Sequence, residues 1–419
     1  MKKLNNLAIN IGLIFVALIT GILAGEIGLR AAKIEGLKKV NNNEPLRPTI
    51  FHTYDRYRAW ALQPGFTAWW REEGEAYIEI NSDGLRDREY SKIKPENTLR
   101  IAILGDSFAE AVQVPIEKTF WSIIEQKLTK CDSITDRKVE VINFGVHGYS
   151  TLQELLTLRH QVWDYNPDIV LLAFFIGNDI INNSKKLEYS QYRPFLVYEN
   201  GELVVDMSFQ DLTPALSNRY AASFIDKMPG WLVNNFRILQ VVKKVDLNLK
   251  KKRLDAYLTG LVPYNFQPPI NNNWYQAWQI TEELITLIVE EVRQREKFFF
   301  AVLVGDPKQV HYDQPYLQKT FMKQYNINDM LYPNKRIEVL GKRLDFPVLD
   351  LATPFRDYAV ENRVCLHGFE NTSLCTGHWN REGHQLAGEI ITKNLCRQLK
   401  VNYNPVSYTH LTLPTILSV

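Results

Sequence analysis

The sequence has few of the features that mark metal-binding or nucleic-acid-binding proteins. It contains only 4 cysteines, and no two of them have the C-x-x-C spacing of a structural zinc site. Basic and acidic residues nearly balance, at 49 and 47, so there is no overall basic field to hold nucleic acid. No internal repeat or low-complexity tract is present, which argues against a repeat architecture. At 419 residues, we expect one large domain with insertions, or two domains, with no structural metal and no nucleic acid.

Long hydrophobic runs are also scarce, and one lies near the beginning of the chain. Residues 7–25 are apolar except for Asn10 and Thr20, which is long enough to cross the hydrocarbon core of a bilayer. No A-x-A-type site of small residues follows, so we predict an uncleaved membrane anchor over residues 1–29, with a cleaved signal peptide as the alternative. Basic residues after the run do not favour export. The short basic start before it does, and we expect a single-pass protein with its body on the extracytoplasmic side.

The last residues do not read as part of a fold. Residues 406–415 have the sequence VSYTHLTLPT, which looks like the in-frame translation of a sequencing adapter. We therefore interpret residues 406–419 as an artefact and leave them out of the fold prediction. A genuine β-rich tail is the alternative.

Two of the cysteines lie close together in the sequence. Cys365 and Cys375 bracket a short loop rich in Gly, Asn and Ser. An oxidising compartment would close this loop as a disulfide, whereas two unpaired thiols fit the sequence equally well. The pair is compatible with export but does not require it.

From residue 99 onwards, predicted strands alternate with predicted helices. Short apolar runs typical of buried strands occupy residues 99–104, 139–144, 168–175, 298–304 and 346–349. Helical periodicity occupies residues 116–128, 151–163, 274–296, 335–344 and 381–399. This alternation predicts an α/β domain over residues 99–182 and 274–399, built on a doubly wound parallel sheet.

The segment before this domain has a different pattern. Residues 30–98 begin as a polar tether and continue into a plausible hairpin between residues 66 and 80. Its turn is predicted at residues 71–74.

Residues 183–273 interrupt the alternation and are predicted to form an insertion. A hairpin turning at Asn200–Gly201 is followed by an amphipathic helix over residues 236–258. Residues 250–253 (KKKR) are interpreted as the polar face of that helix rather than as a lipid or nucleic-acid patch. We expect the insertion to lie over the sheet as a lid, with a separately folding domain as the alternative.

A candidate nucleophile directly follows the first predicted strand. Gly105-Asp106-Ser107 lies at the carboxyl end of that strand, where open parallel sheets bind their ligands. Glycine permits the tight turn into a helix, and a Ser at the helix start lies near the positive end of the dipole. Because a Ser at this position is usually only an N-cap, the tripeptide alone does not decide its role.

The next two strands end in residues that suit an oxyanion hole. The backbone N–H of Gly148, the side-chain amide of Asn178 and the N–H of Ser107 could surround one oxyanion. His378 lies just before the last predicted helix, where a base can approach Ser107. His384, about one turn later, is interpreted as a packing or capping residue.

These four blocks together resemble the SGNH (GDSL-like) hydrolase family. The matching stretches, in the family's order across residues 99–399, are ILGDSF, NFGVHGYST, FFIGNDI and GHWNREGH. The resemblance implies a flavodoxin-like α/β/α sandwich and no cofactor. It implies Ser107 as nucleophile, His378 as base, and Gly148 and Asn178 as oxyanion donors. The stretch INSDGLRD also resembles a stretch in membrane-anchored members of the family that are associated with cell-surface polysaccharides.

The sequence departs from the family at the acid of the triad. Members usually carry an Asp two or three residues before the catalytic His, where this chain has Thr376 and Cys375. Such an acid fixes the imidazole tautomer and stabilises its cation. Three alternatives remain: a Ser–His dyad with a backbone carbonyl orienting His378, a different acid such as Asp350 or Glu370, or an inactive site.

Two functions follow from these alternatives. The first is acyl-ester chemistry by a membrane-anchored esterase or O-acyltransferase, acting on a cell-surface glycan or another ester. The second is a catalytically inactive, membrane-tethered glycan-binding protein. This second function is suggested by the missing acid and by the aromatic residues Trp60, Trp69, Trp70, Trp274 and Trp278. We predict the first.

Overall fold

The computed structural model provides a description of most of the chain. The described residues are 2–32, 51–134, 137–212, 225 and 228–402. The adapter-like residues 406–419 and most of the predicted tether lie outside them.

The chain forms two compact units, each taken by itself below. The first comprises Met1–Leu46 and Leu212–Gly260, and the second comprises Arg47–Asp211 and Leu261–Val419. The second unit contains every described strand.

Eleven strands form four sheets in the described part of the chain, namely one parallel sheet and three antiparallel hairpins. In chain order they are β1 (His52–Asp55), β2 (Ala59–Leu62), β3 (Thr67–Trp70), β4 (Ala76–Glu79), β5 (Thr98–Gly105), β6 (Lys138–Asn143), β7 (Ile169–Phe175), β8 (Phe195–Glu199), β9 (Glu202–Asp206), β10 (Phe298–Val304) and β11 (Val348–Asp350).

The helices flank the parallel sheet or belong to the first unit. In chain order they are α1 (Lys2–Ala31), α2 (Ser107–Glu110), α3 (Phe120–Leu128), α4 (Thr151–His160), α5 (Asp179–Asn182), α6 (Gly230–Asn235), α7 (Arg237–Leu261), α8 (Asn272–Gln294), α9 (Gln314–Leu317), α10 (Lys323–Tyr325), α11 (Tyr332–Leu344), α12 (Ala352–Asn362) and α13 (Arg381–Asn402).

The central sheet has five parallel strands in the order β11-β10-β7-β5-β6. Numbered by appearance within the sheet, this is 5-4-3-1-2, which is the strand order of flavodoxin-like folds. Ala102 of β5 pairs with Ile142 of β6, and Ile103 pairs with Leu171 of β7. β6 and β7 therefore lie on opposite sides of β5, and the carboxyl ends of these three strands border one crevice. The predicted doubly wound parallel sheet is confirmed.

Apolar side chains on both faces of β5 hold the helices to the sheet. Ile101 and Ile103 pack into a cluster with α3, α12 and α13. Ala102 and Leu104 pack into a second cluster with α4, α8 and α11. This alternation explains why the strand reads as a continuous apolar run, because both of its faces are covered.

Helix α3 begins later than the sequence pattern predicts. The apolar periodicity starts at Ile116, but Ile116–Lys118 forms a separate 3₁₀ turn. The hydroxyl of Thr119 accepts a hydrogen bond from the N–H of Ser122 at 3.3 Å and caps α3. The cap fixes the helix start at Phe120.

Two hairpins precede the sheet. β3 and β4 form the hairpin predicted between residues 66 and 80. β1 and β2 form another, which the sequence did not reveal. Its turn contains no Gly or Pro. The carboxylate of Asp55 instead accepts hydrogen bonds from the N–H groups of Tyr57 and Arg58, and it builds the turn from a side chain.

The predicted insertion is divided between the two units. Its hairpin, β8–β9, turns at Asn200–Gly201 as predicted and lies in the unit that contains the sheet. Residues 212–260, with α6 and most of α7, belong to the first unit. The lid role of residues 183–273 stays a prediction.

Both pairs of cysteines form disulfides. Cys365 pairs with Cys375, so the structure selects the first of the two alternatives left open by the sequence. Cys131, which follows α3, pairs with Cys396 in α13, although 265 residues separate them. The second pair was not predicted, because nothing in the sequence brings these two residues together.

Helix α1 carries the predicted anchor. Residues Gly12–Ala31 are long and apolar enough to cross a membrane, a property that signal sequences share. No other described helix is both long enough and apolar enough to cross a membrane.

Candidate active site

The candidate nucleophile lies where the sequence placed it. Ser107 is the first residue of α2 and directly follows β5. Asp106 caps the helix by accepting a hydrogen bond from the N–H of Phe108 at 3.0 Å. A Cβ atom on Gly105 would lie 2.8 Å from that of Ala109, so only glycine fits this turn. Ser107 is therefore held at the sheet edge by a turn whose sequence is constrained on both sides.

His378 contacts Ser107 directly. Its Nε2 atom lies 2.8 Å from the Ser107 hydroxyl, although 271 residues separate the two in the chain. The imidazole packs against the ring of Phe108, with ring centroids 5.1 Å apart. The structure thus brings together the predicted nucleophile and base.

The other nitrogen of His378 contacts an acid that the sequence did not identify. Glu73 Oε2 lies 2.5 Å from His378 Nδ1, and Glu73 Oε1 accepts a hydrogen bond from the backbone N–H of His378 at 2.8 Å. With Nδ1–H donating to Glu73, Nε2 is left to accept the proton of Ser107. These three residues have the arrangement of a Ser–His–acid triad.

Two opposing effects act on the Glu73 carboxyl. Burial raises its pKa, but hydrogen bonds and charge from His378 outweigh burial and hold the pKa below the ordinary value. The carboxylate form is therefore favoured beside the imidazole. That is the form which stabilises a histidine cation during catalysis.

The two acids proposed from the sequence lie elsewhere. Asp350 ends β11, where its carboxylate accepts hydrogen bonds from the side chain of Asn334 at 2.5 Å and the N–H of Ala352 at 3.0 Å. This carboxylate therefore binds the first N–H group of α12. Glu370 is exposed on the loop before His378. Glu73, rather than Asp350 or Glu370, is the carboxylate that contacts His378 Nδ1. The same contact takes the place of the backbone carbonyl that a Ser–His dyad would use.

Glu73 reaches His378 because the turn of the β3–β4 hairpin is tied to the histidine loop. The side chain of Asn371 accepts from the N–H of Gly74 at 3.0 Å and donates to the carbonyls of Arg71 and Gly74 at 3.2 and 3.0 Å. The indole of Trp70 donates to the carbonyl of Glu73 at 2.9 Å. The acid is thus positioned by contacts on both sides.

Two glycines allow the turn and the loop to approach closely. Gly377 has φ +73°, and a Cβ atom there would lie 2.1 Å from Glu73 Oε1. Gly74 has φ +68°, and its Cβ atom would lie 2.3 Å from the carbonyl oxygen of Gln113. Both conformations favour glycine, and neither position has room for a side chain.

The predicted oxyanion donors lie at the same edge of the sheet. The Asn178 amide donates to Asp106 Oδ2 at 3.0 Å, which leaves its second N–H to meet a substrate oxygen. Gly148 has φ +71°. The residue before it, His147, has its ring centroid 6.5 Å from that of His378. Ser107 and Asn178 thus lie close together, because Asn178 binds the residue that precedes Ser107, whereas the role of Gly148 as a third donor stays a prediction.

Buried carboxyl groups lie behind this region. Asp106, Glu154 and Asp179 are all buried. Burial raises the pKa of each, and a neighbouring carboxyl adds to the effect: Glu110 at Asp106, Asp106 at Glu154, and both Glu154 and Asp106 at Asp179.

Three further histidines lie near the site. Burial lowers the pKa of His147 to about 4 and that of His367 and His384 to about 3. His384 Nδ1 accepts a hydrogen bond from the N–H of Phe120 at 3.3 Å, which is the predicted capping role. In the part of the chain that the structure describes, no group of three or more His, Cys, Asp or Glu residues is arranged to hold a metal ion.

Comparisons with known proteins give distant similarity. No family model matches the chain. An arylesterase of Vibrio mimicus is 27% identical over 132 residues, which are 31% of this chain and 64% of the arylesterase. The chain thus spans less than two thirds of that relative's length.

Solved structures are similar to the chain at low sequence identity. The acetyl xylan esterase AlAXEase is 13% identical with a TM-score of 0.36, covering 71% of this chain and 100% of its own. The lipase/acylhydrolase from Enterococcus faecalis is 14% identical with a TM-score of 0.34, covering 72% and 96%. A two-domain esterase active on acetylated mannans is 12% identical with a TM-score of 0.35, covering 75% and 53%. The function proposed below therefore rests on the geometry of this chain's own site.

Proposed function

We propose that the chain is a serine hydrolase of the SGNH type that acts on acyl esters. The observation that carries the proposal is the continuous contact from Glu73 to His378 to Ser107, with distances of 2.5 and 2.8 Å. A hydroxyl, an imidazole and a carboxylate in this order activate the hydroxyl as a nucleophile.

The reaction begins with transfer of the Ser107 proton to His378 Nε2. The hydroxyl oxygen attacks the ester carbonyl, and Glu73 stabilises the histidine cation that forms. The oxyanion of the tetrahedral intermediate accepts hydrogen bonds from the N–H groups of Ser107 and Gly148 and from the Asn178 amide. Each such donor is worth about 3–4 kcal/mol of transition-state stabilisation. The intermediate collapses as His378 protonates the leaving alcohol, and the acyl group stays on Ser107.

The acceptor of the acyl group decides the overall reaction. Water, deprotonated by His378, releases the acid and completes hydrolysis. A sugar hydroxyl in the same position would give an O-acyltransferase, since the same residues serve both reactions. A cell-surface glycan is the proposed carrier of the ester, on the basis of the INSDGLRD resemblance.

The proposed location is the extracytoplasmic side of a membrane, with α1 as a single-pass anchor. The length and apolar composition of residues Gly12–Ala31 support the anchor. The two disulfides support an oxidising compartment, because reducing compartments keep such thiols free.

Turnover of a short-chain chromogenic ester tests the proposal. We expect Ser107→Ala to abolish release of the chromophore while the protein keeps its folded circular-dichroism spectrum. Ser208→Ala is the matched control, since Ser208 lies outside the site and should leave turnover unchanged. Equal turnover by the Ser107→Ala protein and its parent would end the proposal.

The alternative, an inactive glycan-binding protein, loses most of its support. Its main motivation was the missing acid, and Glu73 fills that position. Of the aromatic residues that suggested glycan binding, Trp60, Trp274 and Trp278 are buried. Catalysis is therefore the function that the site supports best.

A further inference from the structure

The first unit contains a contact that links helix α7 to the end of the proposed anchor. Glu26 of α1 accepts hydrogen bonds from the first two N–H groups of α7, those of Arg237 at 2.9 Å and Ile238 at 3.0 Å. Arg30 pairs with Glu26 at 2.7 Å and donates to the carbonyl of Asn235 at 2.8 Å. A carboxylate thus caps α7 from a neighbouring helix, at the end where the dipole favours negative charge.

This contact fixes the position along α1 at which α7 begins. Glu26 lies five residues before the end of the candidate span Gly12–Ala31, which is about 7.5 Å along the helix axis. Charged pairs such as Glu26 and Arg30 are costly in hydrocarbon and belong near the polar boundary of a bilayer. If α1 spans the membrane, α7 starts at the membrane surface.

Helix α7 also presents an exposed apolar stripe. Val242, Val245 and Leu249 are 46, 52 and 49% exposed. Their spacing places them within an arc of about 60° on one side of the helix. Phe236 and Trp231 precede the stripe and are exposed as well. Exposed apolar rows of this kind mark a surface that is covered by something else.

The charge of α7 indicates what covers it. The helix sequence carries seven Lys or Arg residues and two Asp residues. Lys244 and Lys252 are exposed. An apolar stripe combined with a basic sequence is typical of helices that lie in the headgroup layer of anionic membranes. Trp and other aromatic residues are enriched at the same depth, which suits Trp231.

The geometry points to α6 and α7 as an interfacial helix pair that lies on the bilayer crossed by α1, with the stripe of Val242, Val245 and Leu249 facing anionic lipid. The inference rests on the anchor proposed above but is independent of the ester chemistry. It assigns residues 230–261 a membrane-binding role.

Site-directed spin labelling of the full-length protein in lipid nanodiscs tests this directly. All four native cysteines form disulfides, so an introduced cysteine is the only free thiol. Labels are placed on the stripe by Val242→Cys, Val245→Cys and Leu249→Cys. Lys244→Cys reports the opposite side of α7, and Val339→Cys, on an exposed position of α11, is the matched control. Accessibility to oxygen and to a water-soluble nickel chelate is compared in phosphatidylglycerol discs.

We expect the three stripe positions to be more accessible to oxygen than to nickel, and positions 244 and 339 to show the reverse. In phosphatidylcholine discs, the oxygen preference at 249 should weaken, because the basic residues lose their anionic partner. A circular-dichroism spectrum that matches the parent's shows that each labelled variant is folded.

Three results would overturn the inference. Nickel accessibility at all three stripe positions, in protein that stays in the disc, would refute the interfacial helix alone. Dipolar broadening between labels at 245 would show that a second copy covers the stripe instead. Protein that does not stay in the disc would refute both the anchor and the helix, whatever its esterase activity.

Discussion

Replacing Glu73 by glutamine is the most informative perturbation of the proposed triad. The substitution keeps the size of the side chain but removes the charge beside His378 Nδ1. The glutamine amide can also donate where the carboxylate only accepts, so it favours the wrong imidazole tautomer. The 2.5 Å contact and the second bond to the His378 backbone make this carboxylate the closest partner of the ring.

The expected loss follows from known triads. Removing the acid's charge while keeping its shape costs about 10⁴ in kcat. Because the Glu73 side chain is 17% exposed, water can replace part of its effect, and we expect a loss of about 10³ to 10⁴. This corresponds to about 4 to 5.5 kcal/mol of transition-state stabilisation. KM should change little, since Glu73 does not contact the substrate in the proposed mechanism.

Steady-state turnover of a chromogenic ester measures this loss. Glu370→Gln is the matched control, because Glu370 is an exposed acid on the loop before His378 and should be replaceable without effect. A Glu73→Gln enzyme that keeps kcat within about twofold of the parent would refute the assignment of the acid, since a triad acid costs orders of magnitude. Equal losses in both variants would show that loop charge in general, and not Glu73, is responsible.

Three further predictions concern how the site is held. Gly377→Ala should lower kcat about 10²-fold, because the added methyl group displaces Glu73. Gly65→Ala is the control, since Gly65 has a similar φ of +69° but lies in open space; an equal kcat for the two variants would contradict the close approach of Gly377 to Glu73. Asn371→Ala should lower kcat about tenfold and cost only about 1 kcal/mol in urea unfolding; a loss confined to stability would contradict its positioning role. Burial lowers the pKa of His384 to about 3, so its neutral form stabilises the fold fully above pH 6.5, and that stability is lost as pH falls towards 3. Between pH 6 and 5, the parent should therefore lose about 1.2 kcal/mol more stability than His384→Gln, as measured by urea unfolding. Identical slopes for the two proteins would contradict this assignment.

The sheet and most of the site were predictable because their signals are local. Runs such as residues 168–175 read as buried strands, since both faces of each strand are covered by helices. Ser107 and Asn178 follow the ends of β5 and β7 by two and three residues, and Gly148 follows the end of β6 by five, so the strand ends indicated all three positions. His378 was predictable from its place before the last helix.

Glu73 was not predictable by the same reasoning. It lies 305 residues before His378 and comes from a hairpin outside the sheet, so no spacing rule connects the two. The turn at residues 71–74 was recognised, but a Glu before a Gly in an exposed turn is usually only a solvated side chain. The glycine requirement at Gly377, which makes room for the carboxylate, becomes visible only in three dimensions.

The division of the insertion has a similar cause. Helix α7 reads as amphipathic from its sequence, but the sequence does not show which residue caps its first turn. Its first N–H groups are capped by Glu26, a residue about 210 positions earlier in the chain. Pairings across such separations depend on the folded arrangement and leave no pattern in the sequence.

The account depends on Ser107 being an activated nucleophile, and covalent labelling tests that most directly. A fluorophosphonate probe reacts with a serine only where a neighbouring base raises its nucleophilicity. Mass spectrometry of the labelled protein should locate a single adduct on the peptide containing Ser107, and Glu73→Gln should slow its formation. An unlabelled protein, or an adduct on any other residue, would contradict the central claim.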